Sequence, residues 1–105
     1  MIRNTMHIDL SGQTAIVTGA AHGFGRAICQ NLAAHGARVW ALDIVAPELS
    51  ETAKLCTDAG GWCQARVLDI TNAQAVQALV ADIGAAGAHV SILVNNAGGV
   101  LGQVG

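Results

Sequence analysis

The chain has 105 residues, enough for one small domain and not for two. Hydrophobic residues make up 52% of it and charged residues 11%, a core-forming composition that excludes a disordered chain. The net charge of -2 offers no basic face for a phosphodiester backbone, so nucleic acid is not an expected partner. No apolar run reaches the roughly 18 residues of a membrane span. The stretch Met1 to Leu10 carries Arg3, Asn4, His7 and Asp9 and lacks the apolar centre of a secretory signal, so the expected location is cytoplasmic.

Thr14 to Thr18 is a short β-branched run ending at glycine, the pattern of a strand buried on both faces. Gly23 to Ala34 suits a helix with Ala27, Ile28, Leu32 and Ala33 on one side, stopped by His35-Gly36. Arg38 to Leu42 is a second strand ending at Asp43. Pro47 fits the first turn of the next helix, with Glu48 and Glu51 near its positive end, and Gly60-Gly61 terminates it. Trp62 to Leu68 reads as a third strand interrupted by Gln64 and Arg66. Thr71 or Asn72 caps a helix whose Val76, Leu79, Val80 and Ile83 form a single apolar stripe. Val90 to Val94 is a fourth strand, running into Asn95-Asn96-Ala97-Gly98. The order βαβαβαβ predicts an α/β, Rossmann-like fold with a parallel sheet.

The segment Thr18-Gly19-Ala20-Ala21-His22-Gly23-Phe24-Gly25 joins the first strand to the first helix. A pyrophosphate binds at such a junction when it reaches backbone N–H groups at a helix N-terminus, and Cβ atoms would obstruct it. Gly19 allows the sharp turn, and Gly23 and Gly25 allow close approach and tight packing. Asp43 ends the second strand about twenty residues further on, where a carboxylate can accept hydrogen bonds from ribose hydroxyls and would repel a 2′-phosphate. No Arg or Lys lies between Leu42 and Ser50 or in the Gly19 to Gly25 turn. The expected cofactor is therefore NAD in preference to NADP.

The Thr-Gly-x-x-x-Gly-x-Gly spacing, Asp69 after the third strand and Asn95-Asn96-Ala97-Gly98 after the fourth resemble the short-chain dehydrogenase/reductase family, from about Gly12 to Gly98. The resemblance implies a strand order of 3-2-1-4. It implies that Gly19, Gly23 and Gly25, with Thr18, His22 and Phe24 of the same loop, lie against the cofactor. Asp43 would bind the adenosine ribose, and Asp69 with the Ile70 backbone would face the adenine amino group. Asn95 would steady the central sheet, and the Ala97-Gly98 backbone would lie beside the cofactor.

The family's chemistry uses a Ser, a Tyr and a Lys later in its chains. This chain has no Tyr, and Ser11, Ser50 and Ser91 all precede the Asn-Asn-Ala-Gly segment, so no catalytic residue is assigned. His22 reads as a loop residue and not a base. His7, His35 and His89 have no ligand-like spacing, and no metal site is expected. Cys29, Cys56 and Cys63 lack C-x-x-C spacing and read as reduced core thiols.

Residues 1–105 are thus expected to be the N-terminal dinucleotide-binding part of a single domain, truncated before its second half. The full-length parent would be an NAD-dependent oxidoreductase interconverting an alcohol and a ketone by hydride transfer, a homo-oligomer, with the 105-residue piece inactive alone. The alternative is a non-catalytic nucleotide-binding module. An unrelated Rossmann enzyme such as a methyltransferase is disfavoured by Asn95-Asn96-Ala97-Gly98. A downstream Ser followed by Tyr-x-x-x-Lys would decide for the enzyme.

Overall fold

A computed structural model of the chain describes residues 8–96. The elements follow in the order β1 (Thr14–Thr18), α1 (Gly23–Ala34), β2 (Arg38–Asp43), α2 (Ala46–Asp58), β3 (Trp62–Val67), α3 (Ala73–Ala85) and β4 (Ile92–Asn95). All pairings are parallel, and the sheet order is β3-β2-β1-β4. The expected architecture and strand order are both present.

Alternation along the strands divides the core in two, because successive side chains point to opposite faces. Val17, Val39 and Ala41 face α1 and α2, meeting Cys29, Ala33, Leu49 and Cys56. Ile16, Trp40 and Leu42 face α3, meeting Leu79 and Ile83. Leu49, Leu79 and Ile83 are each at most 1% exposed. Burying a side chain of this size is worth about 1.5–3 kcal/mol.

Four element readings are corrected. The face of α1 turned to the sheet carries Gly25, Cys29 and Ala33, whereas Ala27 is exposed and Ile28 and Leu32 are half-buried flanks. Small residues fill the contact line because the helix packs close to the sheet. In α3, Leu79 and Ile83 are buried, but Val80 is 54% exposed beside the open side of β4. The fourth strand begins at Ile92 and not at Val90. Ser91 bridges the entry, its N–H donating to the Thr14 carbonyl at 2.9 Å, and the register then carries β4 to Asn95 opposite Thr18. The third strand ends at Val67, and the buried Leu68 continues beyond it with its N–H on the Asp43 carbonyl at 2.9 Å.

Gln64 and Arg66 fit in β3 because it is a sheet edge. Gln64 is exposed, and Arg66 reaches Asp82 of α3 at 2.6 Å. The Arg38 guanidinium lies 3.9 Å from the Trp62 ring centre, covering the same edge. Such stacking adds about 0.5–1 kcal/mol at exposed sites.

Candidate functional site

The C-terminal ends of the four parallel strands bring Thr18, Asp43, Val67 and Asn95 to one edge of the sheet. Ligands of open α/β sheets bind at this edge, beside the point where strand order reverses. Here the reversal lies between β1, whose chain leads to β2, and β4 on its other side.

Gly19 and Gly23 both have positive φ, 64° and 62°, a conformation that L side chains rarely adopt. Gly25 is glycine for a different reason. A Cβ there would lie 1.9 Å from the Gly19 carbonyl oxygen and 2.9 Å from the Ala20 Cα. The helix therefore meets the strand exit with no room for a side chain. At Gly23 a Cβ would meet nothing within 4 Å, so the space in front of that turn is open.

The α1 N-terminus is poor in its own anions. Its cap residue, His22, makes no side-chain cap hydrogen bond, and among the described residues the first turn holds no acidic group. The first N–H groups of a helix have no intrahelical partner and carry the positive end of the dipole. An anion in front of Gly23 would meet both. His22 and Phe24 are exposed at this mouth, Phe24 by 82%.

The backbone before that mouth is tied down on every side. The Ala20 N–H donates to the Leu42 carbonyl at 3.0 Å. The Ala21 N–H donates to Asp43 Oδ2 at 3.0 Å, and Asn96 Nδ2 donates to the Gly19 carbonyl at 3.2 Å. Thr18 Oγ1 donates to Asn95 Oδ1 at 3.2 Å, joining the exits of β1 and β4. Asp43 also takes the Ile44 and Val45 N–H groups on Oδ1, at 2.7 and 3.1 Å. A carboxylate offers about four acceptor positions, and these bonds use three. The remaining one is on Oδ2, which the Ala21 N–H shares.

Between the ends of β1, β2 and β3 lies a cleft of about 290 Å³ lined by Gly19, Asp43, Ile44, Asp69, Ile70 and Thr71. Asp69 Oδ1 accepts the Thr71 hydroxyl at 2.7 Å and the Thr71 N–H at 2.9 Å. The hydroxyl, then the N–H, hold the exposed Asp69 carboxyl below its ordinary pKa. Asn72 is the cap of α3, its Oδ1 accepting the Ala75 N–H at 3.1 Å. A larger groove of about 640 Å³ runs along α3 and β4, lined mostly by apolar side chains such as Ile16, Leu79, Val80 and Leu93. It is lined by no carboxylate, whereas Asp43 and Asp69 line the smaller cleft.

The residues singled out in sequence therefore gather at one edge, with Gly19, Asp43, Asp69 and Ile70 around a single cleft. Thr18 and Asn95 join the exits of β1 and β4 and, with Ile70, also line the larger groove, and Gly23, Phe24 and Gly25 open the helix. Ala97 and Gly98 lie outside the described residues. The sequence reading missed Asn96, Thr52 and Arg26 as holders of the loop. Only Asn96 had a local signal, standing beside Asn95 at a strand exit.

The cysteines lie on α1, α2 and β3, with Cys29 and Cys56 buried and Cys63 packed against them. Burial foremost, with Cys63 nearby, pushes the Cys56 thiol up to about 12. The Cys63 thiol is also raised, chiefly through its hydrogen bond with Cys29 and then by burial. Among the described residues no three His, Cys, Asp or Glu side chains are grouped to hold a metal ion. No described helix is long and apolar enough to cross a membrane.

The family model for short chain dehydrogenase matches residues 13–104. The chain belongs to the short-chain dehydrogenase family. Over 89 residues it is 38% identical to "Oxidoreductase UcpA" of Escherichia coli (strain K12), covering 85% of this chain and 34% of that protein. It is 43% identical over 90 residues to galactitol 2-dehydrogenase (L-tagatose-forming) of Cereibacter sphaeroides, again covering 85% and 34%. A crystal structure of a metagenomic short-chain oxidoreductase in complex with NADP superposes with a TM-score of 0.79 at 36% identity, over 83% of this chain and 39% of that one. This chain spans about a third of the length of the curated relatives it matches.

Proposed function

We propose that residues 1–105 form the dinucleotide-binding part of a single short-chain dehydrogenase domain, and that they bind NAD. The observation that carries this reading is the α1 N-terminus, free of acidic side chains, standing beside the cleft between Asp43 and Asp69. The diphosphate would sit before Gly23, where the space is open and the helix dipole is favourable. The adenosine would lie in the cleft, with its ribose at the remaining Oδ2 position of Asp43 and its base beside Asp69 and the Ile70 backbone. Thr18 and Asn95 would keep the β1 and β4 exits aligned behind it. The bound nicotinamide would supply hydride chemistry, interconverting an alcohol and a ketone. The chain's own part is to bind and orient.

NAD is favoured over NADP by charge. Asp43 faces the position of a 2′-phosphate, and Ile44 and Val45 beside it are apolar. Arg38, at the opposite end of β2 from Asp43, lies over the Trp62 ring, and Arg26, just after the glycine loop, is engaged with Thr52 and the Glu48 carbonyl. The NADP complex of the metagenomic relative makes NADP the second reading. Calorimetric titration of the chain with each nucleotide separates them. NAD should bind at least about tenfold more tightly, a difference of about 1.4 kcal/mol. Equal affinity would remove Asp43 from the selectivity. The longer protein is proposed to act on a small alcohol or ketone, to be a homo-oligomer and to work in the cytoplasm.

A further inference from the structure

Thr52 lies in the middle of α2, yet it is 0% exposed, and the 3.3 Å approach of its hydroxyl to the Glu48 carbonyl one turn back is longer than its contact outside the helix. Its Oγ1 donates to the Ala20 carbonyl at 2.7 Å, with the Ala21 carbonyl 3.2 Å away. The same oxygen accepts Nε of Arg26 at 2.9 Å. Arg26 also donates from Nη2 to the Glu48 carbonyl at 2.8 Å. One hydroxyl therefore joins three elements, namely the glycine loop, α1 and α2.

We infer that Thr52, braced by Arg26, is a positioning residue that fixes the glycine loop for a dinucleotide diphosphate. The inference rests on the proposed cofactor site. Three other bonds hold the Gly19–Ala21 backbone from the strand side, through Leu42, Asp43 and Asn96. Thr52 is the one holding it from the helix side. Without it the Ala20 carbonyl would be buried with no donor, and the loop would relax toward another partner. Ala20 and Ala21 are themselves 0% exposed, so water has little access to replace the bond. The pairing also explains an arginine in the first turns of α1, where a free cation would oppose the dipole. Its charge is spent on the Glu48 carbonyl and the threonine hydroxyl instead of on the anion site.

Backbone amide exchange in the ligand-free 105-residue chain reads this hold directly. Thr52→Val should speed exchange at Ala20 and Ala21 by about tenfold or more, while Ala15 and Val17 in β1 change by less than about twofold. Thr52→Ser keeps the hydroxyl and should restore the unmutated pattern. Arg26→Met removes only the brace and should loosen the same two amides to a smaller degree, so it decides the matter if the valine variant does not fold. NAD affinity should fall in the same order, by about tenfold for Thr52→Val, and recover in Thr52→Ser. Unchanged loop exchange in both Thr52→Val and Arg26→Met would overturn the hold. Loosened loops with unchanged NAD affinity would overturn its role in positioning. An unmutated chain that binds no NAD would overturn the cofactor reading itself, while exchange would still decide whether Thr52 fixes the loop.

Discussion

Gly25 is the residue on which the proposed site depends most sharply. The 1.9 Å approach of a built Cβ to the Gly19 carbonyl means that backbone must shift to admit any side chain. Gly25→Val should abolish NAD binding, read by calorimetry, because the α1 N-terminus must move off the strand exit. Retained affinity would place the diphosphate elsewhere. Asp43 has two duties, since it ties Ala21 as well as facing the ribose position. Asp43→Ala with Ile44→Arg should shift preference toward NADP, and overall affinity should fall by about tenfold or more because the loop loses a charged acceptor. Ile44→Arg alone should shift preference less but keep the loop, and the two variants together separate the duties by competition between NAD and NADP. The glycines and Asp43 were legible in the sequence because their spacing encodes a strand–turn–helix and a strand end. Thr52 and Arg26 were not, because a threonine in mid-helix reads as a surface residue until the fold brings it 31–32 residues back to the loop carbonyls. The thiols follow from burial at Cys56 and from the hydrogen bond with Cys29 and then burial at Cys63. Thiolate is the reactive form, and the raised Cys56 and Cys63 groups hold almost none at neutral pH. Alkylation by iodoacetamide at pH 7.5 should run more than about tenfold slower in the folded chain than in denaturant. Equal rates would show that these groups are open to solvent.

At the scale of elements, the strands and helices of the first two βα units were legible to within a residue or two. Their signals are local, with a β-branched run before the glycine loop, His35-Gly36 after α1 and Pro47 in the first turn of α2. The apolar pattern failed around β4 because it does not say which neighbours are present. Leu93 is 67% exposed and Val80 54%, although both read as core residues. β4 is a sheet edge, with the apolar groove of about 640 Å³ alongside it. Uncovered side chains of this size each forfeit roughly 1.5–3 kcal/mol, against net stabilities of about 5–15 kcal/mol for whole domains. An open apolar edge also invites pairing with other chains. The 105-residue chain should therefore unfold broadly, bind an apolar dye and aggregate on heating. Leu93→Lys should reduce the dye binding and the aggregation. A sharp, reversible transition without dye binding would contradict this.

At the scale of the molecule, strand order and family model agree on a short-chain dehydrogenase fold, and the chain spans about a third of its relatives. The fold was legible because alternating short strands and helices leave few arrangements. Substrate choice was not, because the residues legible in the sequence, Gly19, Asp43 and Asp69, are those expected to meet the cofactor. With no Tyr in the sequence, the chain alone should show no turnover of NAD with any alcohol or ketone. Turnover that survives removal of host enzymes would require a different acid. The location of the cofactor is tested most directly by amide chemical shifts of the isotope-labelled chain during titration with NAD. The predicted response is saturable and confined to Gly19–Gly25, Ile44 and Asp69–Thr71, with Gly25→Val abolishing it. Shifts centred instead on the α3–β4 groove, at Val80, Ile83 and Leu93, or no saturable shifts at all, would contradict the account.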